Sequence, residues 1–359
     1  MGLLTSWRAK FCLNDASTDA DFVQTLYYVL LCRRPDAEGQ AFQLRRLGEG
    51  RATRADLVRE FIASDECRRL CNIKFRPHQV LRDFVQVADP APFLPHVAQP
   101  PYEGARLCEL ANPRKWLDEE WMELLLEMGI VSPSLDEIHR KAFEIVQTVY
   151  GLRKLGAWRP DLRVLVVGAG HEPLLYWLAN QVAEVVATDL YDGSWSRKGG
   201  LEGDPQVLAD QDKYAPFPYR KECLKFMQMD GRKLEFPDNS FDAVYSLSSI
   251  EHFGGHEGSA QSMTEMGRVL KPGGVAAIAT EMVLNGHAHK EFFLPGEILE
   301  YVVKPAGMPL VQAPEFKVPR VALDDPVQMW LEQDMTPHLV LKNLLVVYTS
   351  VMLFFRKPL

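Results

Sequence analysis

The chain has 359 residues, 47% hydrophobic and 25% charged, with a formal net charge of -8; this is an ordinary globular composition, long enough for two domains. The acidic balance argues against nucleic acid as the main partner, because phosphate binding needs a basic face. Six cysteines, Cys12, Cys32, Cys67, Cys71, Cys108 and Cys223, form no C-x-x-C pair and no zinc-like spacing, so they read as small apolar residues of a reduced, cytoplasmic protein.

The first 85 residues are mildly basic and the remainder acidic. Residues 20 to 72 carry three helical signals: Phe22, Val23, Leu26, Tyr27 and Leu30, then Phe42, Leu44 and Leu47, then Leu57, Val58, Phe61 and Ile62 recur at helical spacing. Asp36 and Thr53 stand where N-caps belong. The opening F-V-x-x-L-Y (Phe22 to Tyr27), the turn R-x-P-D-x-x-G (Arg33 to Gly39) and the closing S-x-E (Ser64 to Glu66) resemble a bacterial helical domain of unknown function found in surface-layer, glycosyltransferase and methyltransferase chains. Its arginines, Arg45, Arg46, Arg51, Arg54, Arg59, Arg68 and Arg69, suit a patch for an anionic glycan, a lipid phosphate or a protein, hence a peripheral contact; the alternative is a solvated charged face. Pro77, Pro90, Pro92, Pro95, Pro100 and Pro101 predict an extended connector. The expected division is therefore a helical domain over 1–85, a linker over 86–114 and a second domain over 115–359, whose lead-in helices end near residue 160.

From Asp161 strand and helix signals alternate, which predicts a mostly parallel sheet with helices on both faces and a ligand at the carboxyl ends of the strands. The strand RVLVVGAG runs into a glycine turn at Gly168 and Gly170, where a ligand can approach backbone without a Cβ in the way. Asp189 closes the next strand and is placed to accept ribose hydroxyls. Nicotinamide, flavin and S-adenosylmethionine sites share this much. Pro173 occupies the third glycine position of G-x-G-x-x-G, which weakens the dinucleotide reading.

Together VGAGHEP, ATDLYD, MDGRKLEFPDNSFDAVYSLSSIEHF and RVLKPGG resemble the class I S-adenosylmethionine-dependent methyltransferases, over about 120 residues. The resemblance implies an α/β fold: a Rossmann-like seven-stranded sheet with helices on both faces, preceded here by the small all-α domain. It implies S-adenosylmethionine as cofactor. Gly168, Ala169 and Gly170 are then expected beneath its methionine part, Asp189 with Leu190 at the ribose, Asp230 and Gly231 at the adenine, and Ser246, Leu247 and Ser248 facing the sulfonium. The family commonly has an acid where Val166 stands, so His171 and Glu172 are the nearest polar candidates for the methionine end; Glu172 equally suits the first turn of its helix.

Methyl transfer needs an aligned nucleophile, exclusion of water and, for a hydroxyl acceptor, a base. His252 beside Glu251 is the candidate pair, as base or as structural support. His287 and His289 form a rival pair that, with Glu281, has donors for a divalent ion; loop histidines are more commonly surface residues, and no metal is expected. The long connection from Leu190 to Leu224 reads as a lid, with Tyr214, Tyr219 and Arg220 suited to a sugar ring or anionic group, joined at the acceptor site by His256 and His287; a loop packed on its own domain is the alternative. The apolar run Leu344 to Phe355 is shorter than the ~20 residues of a bilayer span and reads as a buried final strand. The expectation is a methyltransferase acting on a sugar or glycan precursor in cell-surface polysaccharide assembly. A small-molecule methyltransferase of secondary metabolism and a non-catalytic cofactor-binding scaffold are the alternatives.

Overall fold

The structure is a computed structural model and describes residues 18–31, 33–194, 203–329, 331–332 and 334–359. Cys12, Cys32, the start of the N-terminal domain and part of the expected lid lie outside the described residues; Cys71, Cys108 and Cys223 are free thiols. The chain forms two compact units, 1–73 and 74–359. No helix among the described residues is long and apolar enough to cross a membrane.

The first unit has helices α1 (Asp19–Leu30), α2 (Ala37–Gly48), α3 (Arg54–Ala63) and α4 (Asp65–Cys71). Local chemistry starts each one: Thr18 and Thr53 close capping boxes with Asp21 and Asp56, while Asp36 and Ser64 accept from Gly39 and Cys67 N–H. Phe22, Val23, Leu26, Tyr27, Leu57, Phe61 and Cys67 make the core, with Tyr27 and Phe61 edge-to-face at 5.0 Å. Arg46, Arg51, Arg54, Arg59 and Arg68 face Glu60, Glu49, Asp19, Asp56 and Asp65 within 3.6 Å. Much of the expected basic patch is thus neutralised within its own unit, which favours the solvated face.

The second unit is built on a sheet whose strands are β2 (Glu109–Leu110), β3 (Arg163–Val167), β4 (Glu184–Asp189), β5 (Leu224–Gln228), β6 (Phe241–Leu247), β7 (Leu270–Val283), β9 (Val327–Gln328), β10 (Leu341–Asn343) and β11 (Val346–Arg356). β1 (Phe84–Gln86) pairs separately with β8 (Lys317–Pro319). The main order is β5-β4-β3-β6-β7-β11-β10-β9, with β2 on β11. β3 to β7 run parallel, and β11 is antiparallel to both β7 and β10. The expected seven strands run from β5 to β10 in this order, and β2 and β9 widen the sheet. Among the described residues its longer helices are α5 (Glu119–Met128), α6 (Arg140–Lys154), α7 (Pro173–Ala179) and α8 (Gly255–Val269).

The proline-rich segment is not a free linker. Val97 bridges Leu310, β2 pairs with β11, and Phe93, Leu107, Cys108, Leu110 and Ala111 are buried in the core. The boundary falls between Ile73 and Lys74, earlier than expected. Prolines stiffen an extended chain but do not stop its apolar side chains from packing along a sheet edge. The final run also differs at its start: β11 begins at Val346, and Leu344 and Leu345 form an exposed turn.

Candidate functional site

β3 is buried from Val164 to Val167 and delivers the glycine turn to the carboxyl end of the sheet. Gly168 and Gly170 hold φ of 71° and 49°, the left-handed region. The N–H groups of Gly168 and Ala169 both donate to the Thr188 carbonyl, at 2.8 and 3.0 Å, which ties the turn to β4. A Cβ at Gly168 would stand 2.5 Å from Ser249 Cβ and 2.9 Å from the Phe253 ring. Gly168→Ala is therefore expected to displace the turn and lower thermal stability by a few kcal/mol through clash and φ strain; an unchanged melting temperature would contradict this packing.

The turn brings Gly170 to Asp189. Gly170 N–H donates to Asp189 Oδ2 at 2.9 Å and Leu190 N–H to Oδ1 at 2.7 Å. Burial raises the Asp189 pKa, against the lowering effect of these N–H bonds. Each oxygen keeps lone-pair capacity for a further donor. Tyr191 hydroxyl donates to the Gly170 carbonyl at 2.7 Å and braces the turn from behind.

Asp230 is held by Arg232, with Nη2 to Oδ2 at 2.6 Å and Nε to Oδ1 at 2.9 Å, and this guanidinium lowers its pKa. A Cβ on Gly231 would meet the Phe253 ring at 2.7 Å and Val167 at 2.8 Å. Phe253 thus packs against both Gly168 and Gly231, a contact the sequence reading missed. At the end of β6 the serines divide differently from expectation. Ser246 is fully buried, and Ser248, at φ 49°, donates to Glu144 Oε1 at 3.0 Å, so neither hydroxyl is turned to the glycine loop. Ser249 makes that link instead, donating to the Gly168 carbonyl at 2.9 Å.

The first turn of α6 contributes polar residues that the sequence reading passed over. Arg140 Nη1 reaches Glu281 at 2.6 Å, Ser350 at 2.9 Å and Glu144 at 3.1 Å. Glu144 is fully buried and also accepts from Ser350 at 2.5 Å. Lys141 Nζ bonds Glu144 Oε2 at 2.9 Å and the Leu247 carbonyl at 3.1 Å, and lies 4.0 Å from Glu172. Glu172 stands at the N-cap of α7 without a side-chain capping bond. Its carboxylate and Lys141 therefore lie together beside the glycine turn, where Val166 leaves no acid. The His171 ring packs at 4.8 Å on Tyr214, tilted by 48°, and the Tyr214 hydroxyl donates to Asp204.

His252 and Glu251 lie on the turn after β6. His252 Nδ1 is 3.2 Å from Glu291 Oε2. Burial works to lower the His252 pKa, but Glu291, Glu251 and Glu281 outweigh it and the pKa is raised. Glu251 is fully buried, accepts from Thr280 hydroxyl at 2.9 Å, and burial pushes its pKa up to about 7. Glu251 Oε1 and Glu281 Oε2 are buried oxygens with no hydrogen-bond donor.

Several expected acceptor contacts are occupied otherwise. Arg220 donates to the carbonyls of Ala179 and Val182 at 2.9 and 2.7 Å, sealing the end of α7. Tyr219 packs on Tyr176 and donates to Asp212. These two are loop-packing residues, because buried carbonyls at a helix end need donors. His256 stacks on Phe293 at 4.8 Å with Nε2 3.2 Å from the Phe292 carbonyl. His289 Nδ1 accepts from the N–H groups of Glu291 and Phe292, while His287 is exposed. Glu281 is paired with Arg140, so the three are not gathered around one point, and no metal-holding group of three His, Cys, Asp or Glu occurs among the described residues.

Residues 165–278 match the family described as Methyltransferase domain, and residues 3–71 match a domain of unknown function, DUF4214. A sterol 24-C-methyltransferase of Gibberella zeae is 33% identical over 121 residues, covering 33% of this chain and 28% of that protein. A demethylmenaquinone methyltransferase of Chlorobaculum tepidum is 33% identical over 95 residues, covering 26% and 36%. The chain thus spans only about a third of the length of these curated relatives. The solved phosphoethanolamine N-methyltransferase 2 of Haemonchus contortus, in complex with S-adenosyl-L-methionine, aligns with a TM-score of 0.33 at 22% identity, covering 44% of this chain and 36% of that one. With its four motifs on the strand ends of a mixed α/β sheet, the stretch 165–278 is thus similar to methyltransferase domains.

Proposed function

We propose that the protein is an S-adenosylmethionine-dependent methyltransferase. The observation that carries this reading is the Asp189 carboxylate, fixed beside Gly170 and keeping lone pairs for the two ribose hydroxyls. Gly168, Ala169 and Gly170 are assigned to the methionine portion, with Lys141 and Glu172 supplying opposite charges for its carboxylate and ammonium groups. Asp230 and Gly231 are assigned to the adenine. The cofactor, when bound, supplies a methyl group on positively charged sulfur. The chain's own residues then need to align the acceptor, exclude water and hold a proton. Isothermal calorimetry with S-adenosylmethionine and its demethylated product tests the reading: a folded protein giving no heat with either would sink it.

The acceptor is assigned as a hydroxyl. A hydroxyl is an acceptor whose methylation needs a base, and its single proton goes to His252, since Glu251 Oε1 and Glu281 Oε2 are buried out of its reach. His252 is the base in this reading, held by Glu291. A raised pKa leaves His252 protonated to higher pH, so the methyl-transfer rate is expected to rise with pH through that pKa. Glu291→Gln removes the hydrogen-bonded carboxylate and should move the rising limb to lower pH, whereas His252→Ala should cost about 10²–10⁴ in rate. A pH profile unmoved by Glu291→Gln would leave His252 a packing residue.

The narrower reading, O-methylation of a sugar or glycan precursor in polysaccharide assembly, draws on the N-terminal resemblance and on hydroxyl chemistry at this site. A second reading, a lipid-soluble acceptor, is favoured by the relatives, whose names specify sterol and demethylmenaquinone. Incubating the protein with labelled S-adenosylmethionine and each acceptor class separates the two.

A further inference from the structure

The hairpin between β10 and β11 turns on Leu344 and Leu345, since Asn343 pairs with Val346. These leucines are 85% and 70% exposed, and Leu344 holds φ 53°. A two-residue hairpin with a left-handed first residue ordinarily takes Gly or Asn there. The chain instead sustains backbone strain of about 1–2 kcal/mol and two leucines in water. A single exposed leucine is ordinary; a strained leucine followed by another is not. Leu331, 86% exposed, follows β9, which runs parallel to β10, so it stands at the same end of the sheet.

That end is the one bearing the candidate site. β11 is antiparallel to both β10 and β7, so the exit of β10 lies with the exit of β7 and of its parallel neighbour β6. The loop after β7 is tied to the hairpin, because Asn285 Nδ2 donates to the Leu345 carbonyl at 2.8 Å and Leu284 N–H to the Val347 carbonyl. Residues 284–290 and 341–347 hold Lys290, Lys342, His287 and His289 and no carboxylate. Lys290 is 82% exposed in its side chain, with Glu291 at 3.7 Å. Of the acids near Leu331, Glu332 is paired with Lys74 and Asp334 is exposed.

We propose that this rim docks the protein on a lipid bilayer with anionic headgroups, the leucines entering the apolar boundary and Lys290 and Lys342 lying at headgroup level. A leucine hairpin tip flanked by cations, with Leu331 as a separate protrusion, suits a fluid interface, which closes around protrusions. A protein partner would need roughly 800 Å² of continuous complementary surface per side. Docking in this orientation turns the sheet end with Asp189 and His252 toward the bilayer and makes a lipid-borne acceptor the natural substrate class; that clause alone rests on the methyltransferase reading.

Co-sedimentation of the full chain with vesicles of phosphatidylcholine and phosphatidylglycerol tests the proposal. The unsubstituted protein is expected to sediment with them. Leu344→Gly should lower the partition coefficient about tenfold while raising the melting temperature, because the φ strain is relieved. Lys342→Gln should weaken partition about fivefold on these vesicles and leave it unchanged on pure phosphatidylcholine. No sedimentation of the unsubstituted protein, or equal partition of Leu344→Gly, overturns the proposal. A dimer in solution that Leu344→Asp dissolves would identify a second copy as the occupant and overturns it too. Cofactor heats measured on the same samples distinguish a failed docking surface from a failed methyltransferase reading.

Discussion

Asp189→Ala is expected to weaken S-adenosylmethionine binding by about 10²-fold or more, since two hydrogen bonds to a charged acceptor are lost at about 1.5 kcal/mol or more each. Asp189→Asn makes the sharper test. Asp189 is half-buried at the end of β4 and desolvation raises its pKa, so the ionised form is disfavoured by the fold. A carboxyl raised in the folded state contributes stability below its unfolded pKa and loses it as pH rises, so at neutral pH the charge at Asp189 weighs against folding. Asn removes that charge while keeping the volume. Its amide NH2 cannot accept, so one of the bonds from Gly170 and Leu190 N–H is given up; the Asn variant should lose no more than about 1 kcal/mol of stability at neutral pH, yet bind the cofactor far more weakly, which is the signature of a residue kept for a ligand. Calorimetry and thermal unfolding on the same preparation check both halves. Normal affinity in either variant would refute the ribose assignment, and a lower melting temperature with normal affinity would make Asp189 a structural clamp for Gly170 and Leu190.

The glycine turn was legible because its signals are local. A strand of buried valines, two glycines and an aspartate closing the next strand each have one backbone consequence, and Gly168, Gly170 and Asp189 meet as those consequences require. Arg140 and Glu144 were not legible. On a helix such charges read as a solvent face, and they are buried here because β7 and β11, far away in sequence, present Glu281 and Ser350 to them. Arg220 misled for the opposite reason: beside aromatic residues it looked like a ligand grip, but the open carbonyls of Ala179 and Val182 claimed it. The run beginning at Leu344 read as strand because hydropathy alone does not mark a two-residue turn, and only backbone φ and exposure separate Leu344 and Leu345 from the strand that follows.

The same buried network carries the largest expected effect on stability. Arg140 is the cation that Glu281 and Glu144 share, and its side chain is 11% exposed. Arg140→Met keeps much of the apolar stem but leaves Glu281 without its cation; Glu144 retains Lys141, Ser248 and Ser350. Breaking a buried pair from one side costs about 3–5 kcal/mol, or a fall in melting temperature of roughly 10 °C. The pH dependence identifies the cause. In the intact protein burial works against the charge on Glu144, but Lys141, Arg140 and Ser350 outweigh it and hold its pKa below the usual carboxylate value. Its contribution is therefore present above the unfolded pKa and lost as pH falls. Without Arg140 one of the groups that hold the Glu144 pKa down is gone, so part of the stability present above the unfolded pKa is lost and the deficit should be larger at pH ~7 than at pH ~4. Adding Glu281→Gln to Arg140→Met should return part of the loss, because the charge left unpaired is removed. Equal deficits at both pH values, or a double variant as unstable as the sum of the singles, would show that Arg140 acts through packing rather than as the counter-charge of Glu144 and Glu281.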